Sequence, residues 1–145
     1  MKRFRFSLET VKTYKDRLLS QLKNEYGLRL ADVHAKEAEI EKLKQEKDKT
    51  QQEFNEKNAQ GLSILESRQY QYYLDSLHKK IKLEQRKLKE LVRLAEEKKE
   101  EIIEVNKETT SLAKLKDKKM VEYNKMEAKE QELFIEEFVS RNIFH

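Results

Sequence analysis

The chain has 145 residues, 41% of them charged and 37% hydrophobic, with no proline, no cysteine and only two glycines. That length suits a single domain, and so little turn chemistry excludes a compact globule in favour of long helices. The missing cysteines exclude disulfides and thiolate-held metals. The formal charge of +4 is carried by residues 1–20, which hold six basic side chains (Lys2, Arg3, Arg5, Lys12, Lys15, Arg17) against Glu9 and Asp16, so the remaining 125 residues balance at 26 against 26. Interleaved signs are the pattern of a solvated helix surface. A nucleic-acid binder instead gathers its basic residues on one face, so nucleic acid is not an expected partner. No apolar run approaches the roughly 18–20 residues of a membrane span. The opening residues lack the apolar stretch of a secretory signal, so a cytoplasmic location is expected.

In chain order, a helix start comes first. Ser7 is placed to cap, with Phe6 and Val11 at the positions of a hydrophobic staple. A 3-4 spacing follows through Leu8, Val11, Lys15, Leu18 and Leu22, then Tyr26, Arg29, Val33, Lys36, Ile40, Leu43, Lys47, Thr50 and Phe54. This is the signature of a seam between packed helices. The step from Leu22 to Tyr26 repeats a spacing of four, a local stutter, and Gly27 stands beside it. Glycine inside a helix costs about 1 kcal/mol against alanine. The stretch is therefore either a soft point or a glycine tolerated in an overlong helix.

A break is expected near Asn58–Gly61, followed by Ser63-Ile-Leu-Glu66, the spacing of a capping box. The expected layout is a single coiled-coil domain over 1–145: helix 1 over about 8–60, a turn over about 61–66 and helix 2 over about 67–141. At ~1.5 Å per residue helix 1 would run about 80 Å. The second stripe runs Leu74, Leu77, Ile81, Glu84, Leu88, Leu91, Ala95, Lys98, Ile102, Val105, Thr109 and Leu112. Its phase then shifts through Leu115, Tyr123 and Met126 to Leu133. Two stripes flanking one turn predict an all-α antiparallel hairpin. A parallel dimer of one continuous helix is the rival, and Gly61 with the capping box argues against it.

Folding at 61–66 leaves about twenty C-terminal residues without a partner in their own helix pair. That overhang holds Leu133, Phe134, Ile135, Phe138, Val139, Ile143 and Phe144 among acidic neighbours. An apolar helix face with nothing to cover it suggests a binding surface, unless it packs on the basic N-terminal arm or frays. Several seam positions (Lys15, Arg29, Lys36, Lys47, Thr50, Glu84, Lys98, Thr109) are polar, which weakens a seam while fixing its register. Lys47 and Glu84 lie at similar distances from the turn and are expected to pair across it.

Catalysis needs a nucleophile, base or metal in a concave site, and two helices side by side offer none. His34, His78 and His145 are scattered. Asp75 and His78 share a face but supply too few ligands for zinc, and no phosphate loop exists. No enzyme activity, cofactor or metal is expected. The cluster Tyr70-Gln-Tyr-Tyr73 cannot turn every ring to one partner helix, so some rings are exposed or bound elsewhere, as at protein interfaces.

The chain resembles the flagellar export protein FliJ family of the bacterial type III export apparatus over essentially its full length. The resemblance lies in Phe4-Arg-Phe-Ser-Leu-Glu9 with Val11, in Gly61, in Gln69-Tyr-Gln-Tyr-Tyr-Leu74-Asp-Ser-Leu77 leading to Ile81, and in Glu130-Gln-Glu-Leu-Phe-Ile-Glu-Glu-Phe138 with Arg141. It implies a hairpin similar to the central stalk of rotary ATPases, monomeric, acting in flagellum biogenesis and so in motility and chemotaxis. The implied partners are the export ATPase hexamer, the membrane protein of the export gate and export chaperones. The implied place is the cytoplasmic face of the inner-membrane apparatus. Tyr70, Tyr73, Leu74, Leu77 and Ile81 are the candidates for gate binding. Phe4, Phe6, Leu133, Phe134, Phe138 and Arg141 are the candidates for the ATPase ring. The stalk protein of virulence-type secretion systems is similar in form and stays as the alternative.

Overall fold

The computed structural model describes residues 2–144, with side chains through residue 142, so the side chains of Ile143 and Phe144, and all of His145, lie outside the described residues. Two helices account for nearly all of it: α1 (Glu9–Gln60) and the longer α2 (Ile64–Phe144). No strand occurs among the described residues.

The connection is shorter than the expected 61–66, because the cap falls on Ser63 itself. Ser63 Oγ accepts the Glu66 N–H at 3.1 Å and the Ser63 carbonyl accepts the Ser67 N–H at 3.0 Å, so the helix is under way by Ile64. α2 then continues to Phe144, past the expected 141. α1 ends on Gly61, whose φ of 103° lies in the region that only glycine enters without strain, and its N–H donates to the Asn58 carbonyl at 3.2 Å.

At the other end α1 starts later than expected. Its first turn closes from Lys12 N–H to the Leu8 carbonyl at 2.9 Å, and Glu9 N–H bonds the Phe6 carbonyl at 3.1 Å. The cap therefore falls on Leu8, and the staple is not made: Phe6 is buried, whereas Val11 stays 44% exposed.

The chain divides into two compact units, Lys23–Glu100 and Met1–Leu22 with Glu101–His145. The first division falls within the stutter that begins at Leu22. In the Lys23–Glu100 unit the core is Val33, Ile40, Leu77, Ile81 and Ala95, joined by buried Thr50 and Glu84. Cross-helix pairs run in opposite directions along the two helices: Glu25 with Lys98 (2.8 Å), Lys36 with Glu84 (2.6 Å), Glu46 with Tyr73 (3.2 Å) and Phe54 with Tyr70 (ring centroids 5.4 Å). The helices in this unit are antiparallel. In the other unit Phe6, Leu22, Val105 and Thr109 are buried. The order repeats there: Phe4 with Tyr123, Glu9 with Lys116 (2.9 Å) and Lys15 with Glu108 (2.5 Å).

From Lys15 to Phe54 and from Leu74 to Leu112 every position of the expected stripes is buried or half-buried. Several of the polar seam positions are bridged by a partner. Lys15, Lys36 and Lys98 each reach a glutamate of the facing helix, and Thr109 Oγ1 donates to the Asn106 carbonyl at 2.9 Å. Among the described residues no buried side-chain polar atom lacks a partner. The expected Lys47–Glu84 pair does not form. Glu84 takes Lys36, and Lys47 instead donates to His78 Nδ1 at 3.2 Å, because the register places residue 47 nearer the turn. Asp75 does not engage His78 either; it pairs with Lys79 one turn along, at 3.0 Å.

Candidate functional site

Two places present side chains that the helix pair does not consume: the residues after the turn, and the C-terminal part of α2. Tyr70 packs on Phe54, with the Lys57 ammonium 5.6 Å from its ring centre, and is half-buried. Tyr73 donates its hydroxyl to Glu46 Oε1 and remains 46% exposed. Burial, and then the Glu46 carboxylate, hold that phenol above its ordinary pKa. Tyr72 points away from the seam and is 77% exposed. A shallow depression lined by Lys57, Leu62, Gln69, Tyr70 and Tyr73 lies here.

Not every residue assigned to the gate is at the surface. Leu77 and Ile81 are buried and Leu74 is half-buried, since positions 70, 74, 77 and 81 repeat every three or four residues and form the seam itself. They hold α2 against α1 and so fix where Tyr70 and Tyr73 stand. Ile64 and Leu65, which the 3-4 stripe skips, are widely exposed beside the turn.

In the unit formed by residues 1–22 and 101–145, the N-terminal arm lies along α2 as far as Tyr123. The Tyr123 hydroxyl donates to the Lys2 carbonyl at 2.6 Å, and its ring meets Phe4 at 5.5 Å with the planes tilted by 59°. Phe6 is buried and Phe4 half-buried, so these two rings are anchors of the arm. Beyond Tyr123 the helix carries Leu133, Phe134, Ile135, Phe138 and Val139, all exposed. Arg141 is exposed as well. A shallow depression between Glu127, Glu130, Gln131, Phe134 and Ile135 marks the start of this stretch. At ~100° per residue Phe134 and Phe138 lie side by side, whereas Leu133 lies about a quarter-turn away with Glu130 and Glu137 between. Leu133 and the pair Phe134 and Phe138 therefore stand on two apolar strips divided by an acidic ridge.

Among the described residues no group of three or more His, Cys, Asp or Glu side chains is placed to hold a metal ion, and no helix is long and apolar enough to cross a membrane.

Two long helices, the second outlasting the first, with aromatic side chains following the turn and exposed apolar side chains late in α2, define an all-α coiled-coil protein. The model of the flagellar FliJ protein family matches residues 4–145, and the chain belongs to that family, the non-catalytic, flagellar export-associated proteins. Comparison with curated proteins and with solved structures found no match.

Proposed function

We propose that this chain acts as a monomeric, stalk-like activator and assembly factor of the flagellar export ATPase, at the cytoplasmic face of the inner-membrane export apparatus. The observation that carries this reading is the extension of α2 past Tyr123. There the helix exposes five large apolar side chains between Leu133 and Val139 with no cover from the N-terminal arm. Exposed apolar surface of this kind gains roughly 25 cal/mol per Å² when a partner removes it from water. In this reading the hexameric ring of the export ATPase is the partner, and its interior suits a single projecting helix.

In this reading Leu133, Phe134 and Phe138 make the ring contact and Arg141 orients it, while Phe4 and Phe6 seat the basic arm at its base. The turn serves the export gate, with Tyr73 and Tyr70 in contact and Leu74, Leu77 and Ile81 as their support. Escort of export chaperones is the third role in this reading.

A photo-crosslinking residue at position 134 tests the ring assignment, with position 28 as control, since Leu28 is equally exposed at 69%. Position 134 should cross-link to the export ATPase and position 28 should not. Equal capture from both positions, or none from 134, would overturn it.

A further inference from the structure

Charge balance over the whole helix hides a local block. Residues 65–89 hold seven basic side chains against Glu66, Asp75 and Glu84, a net of +4. Glu84 is buried and held by Lys36 and Lys87, so it offers little to the surface. The α1 residues 36–57, in the same unit, carry six basic side chains against seven acidic ones. The basic excess therefore belongs to α2.

The contacts settle which way it faces. Leu77, Ile81 and Glu84 are buried in the seam. At ~100° per residue, Leu65, Tyr72 and Leu83 fall within about 20° of one another on the opposite side. Their exposures are 68%, 77% and 49%. Arg68, Lys82 and Arg86 flank this line on one side and Lys80 and Lys87 on the other, all exposed. Lys79 lies close to the line and pairs with Asp75, and the other exposed acid of the stretch, Glu66, stands about 100° from the line. Elsewhere in the unit exposed basic residues sit among acidic ones, as Arg93 does between Glu90 and Glu97.

We propose that this outward face of α2, from Leu65 to Lys87, docks on an anionic lipid bilayer, with α2 lying in the plane of the headgroups. Two features favour a bilayer over an acidic helix. A partner helix needs apolar residues every three or four positions, whereas here they recur at seven and eleven, with Arg68, Ser76 and Lys79 between. The basic residues also spread over roughly 160° of the helix surface, too broad for one helical partner and suited to a flat anionic plane. Leu65 and Tyr72 enter the interface, where a tyrosine keeps its ring apolar and its hydroxyl wet. The face shares no residue with the gate or ring contacts proposed above and goes beyond that reading.

Flotation of the full chain with vesicles tests it. The chain should bind phosphatidylcholine vesicles containing phosphatidylglycerol, should fail to bind phosphatidylcholine alone, and should be released by salt. The R68Q/K80Q/K82Q/R86Q variant should bind at least roughly a hundredfold more weakly with unchanged helicity. The L65S/Y72S variant should lose about tenfold, and the control K42Q/K44Q/K49Q on α1 should bind as the parent does. Failure of the parent to bind anionic vesicles overturns the proposal, as does an equal loss in the α1 control. Arg68-dependent capture of an acidic synthetic peptide without vesicle binding would assign the face to a protein instead.

Discussion

The Glu84 carboxylate lies in the helix seam 2.6 Å from the Lys36 ammonium, 48 positions earlier in the chain. Its other oxygen accepts from Lys87, and Lys36 also holds Glu39 at 2.9 Å. A seam otherwise built from Val33, Ile40, Leu77 and Ile81 thus contains an ionic link that helps to fix the register. Sliding α2 by one heptad so that Glu84 meets Leu43 would leave a buried carboxylate facing no cation, which is far costlier than a misfit leucine.

The pair gives a pH signature. The Lys36 hydrogen bond, then that of Lys87, holds Glu84 below the ordinary 4.5, and the Glu84 bond, then that of Glu39, holds Lys36 above 10.5. A lowered carboxylate contributes stability above its unfolded pKa and loses it as pH falls through the folded value. A raised amine contributes below its unfolded pKa and loses it as pH rises through the folded value. The link should stabilise fully between about pH 4.5 and 10.5. Melting of the parent and of Glu84→Gln, followed from neutral pH into acid, should show a gap that narrows below pH 4.5. A gap independent of pH would contradict the ionic role.

The two glycines should respond oppositely to alanine. Gly27 is helical, exposed, and an added Cβ meets nothing within 4 Å. Gly27→Ala should stabilise by about 1 kcal/mol, raising the melting temperature by roughly 2–4 °C. Gly61 has equal space but a φ of +103°, so Gly61→Ala should destabilise by about 1–2 kcal/mol. Thermal melts of the two variants check both signs.

Support and contact at the turn are separable. Leu77→Ala empties a seam position that is 6% exposed and should cost about 2–3 kcal/mol. Tyr73→Ala removes a half-exposed ring whose one hydrogen bond, to Glu46, lies at the surface, so melting should stay near the parent's. Affinity for the export gate should fall in Tyr73→Ala while its fold holds. Unchanged gate affinity in Tyr73→Ala would move the contact elsewhere.

The seam was readable from the chain because burial follows a 3-4 period, and every position from Lys15 to Phe54 and from Leu74 to Leu112 obeys it. Gly61 and Ser63 marked the turn for a similarly local reason, a positive φ and a side-chain cap. What spacing could not reveal was partner choice. Lys36 and Lys47 are both seam lysines of α1, about three turns apart, and only the register selects Lys36 for Glu84. The gate candidates show the same limit: Tyr73 and Leu77 share a motif, yet the turn exposes the ring and buries the leucine. The basic face of α2 is hidden in charge summed over long stretches, where Arg68–Lys89 cancel against acidic residues further along, and it emerges only over a short window taken with the helical angle.

The role of the α2 extension is tested most directly by ending the chain after Asn124. This keeps Tyr123, and with it the seat of Phe4 and the bond to the Lys2 carbonyl, while removing Leu133, Phe134, Phe138 and Arg141. Hydrolysis by the purified export ATPase is then titrated with the full and the shortened chains. The shortened chain should keep its helicity and melting temperature, and should fail to stimulate hydrolysis or ring assembly. Full stimulation by the folded, shortened chain would contradict the assignment of this extension to the ring.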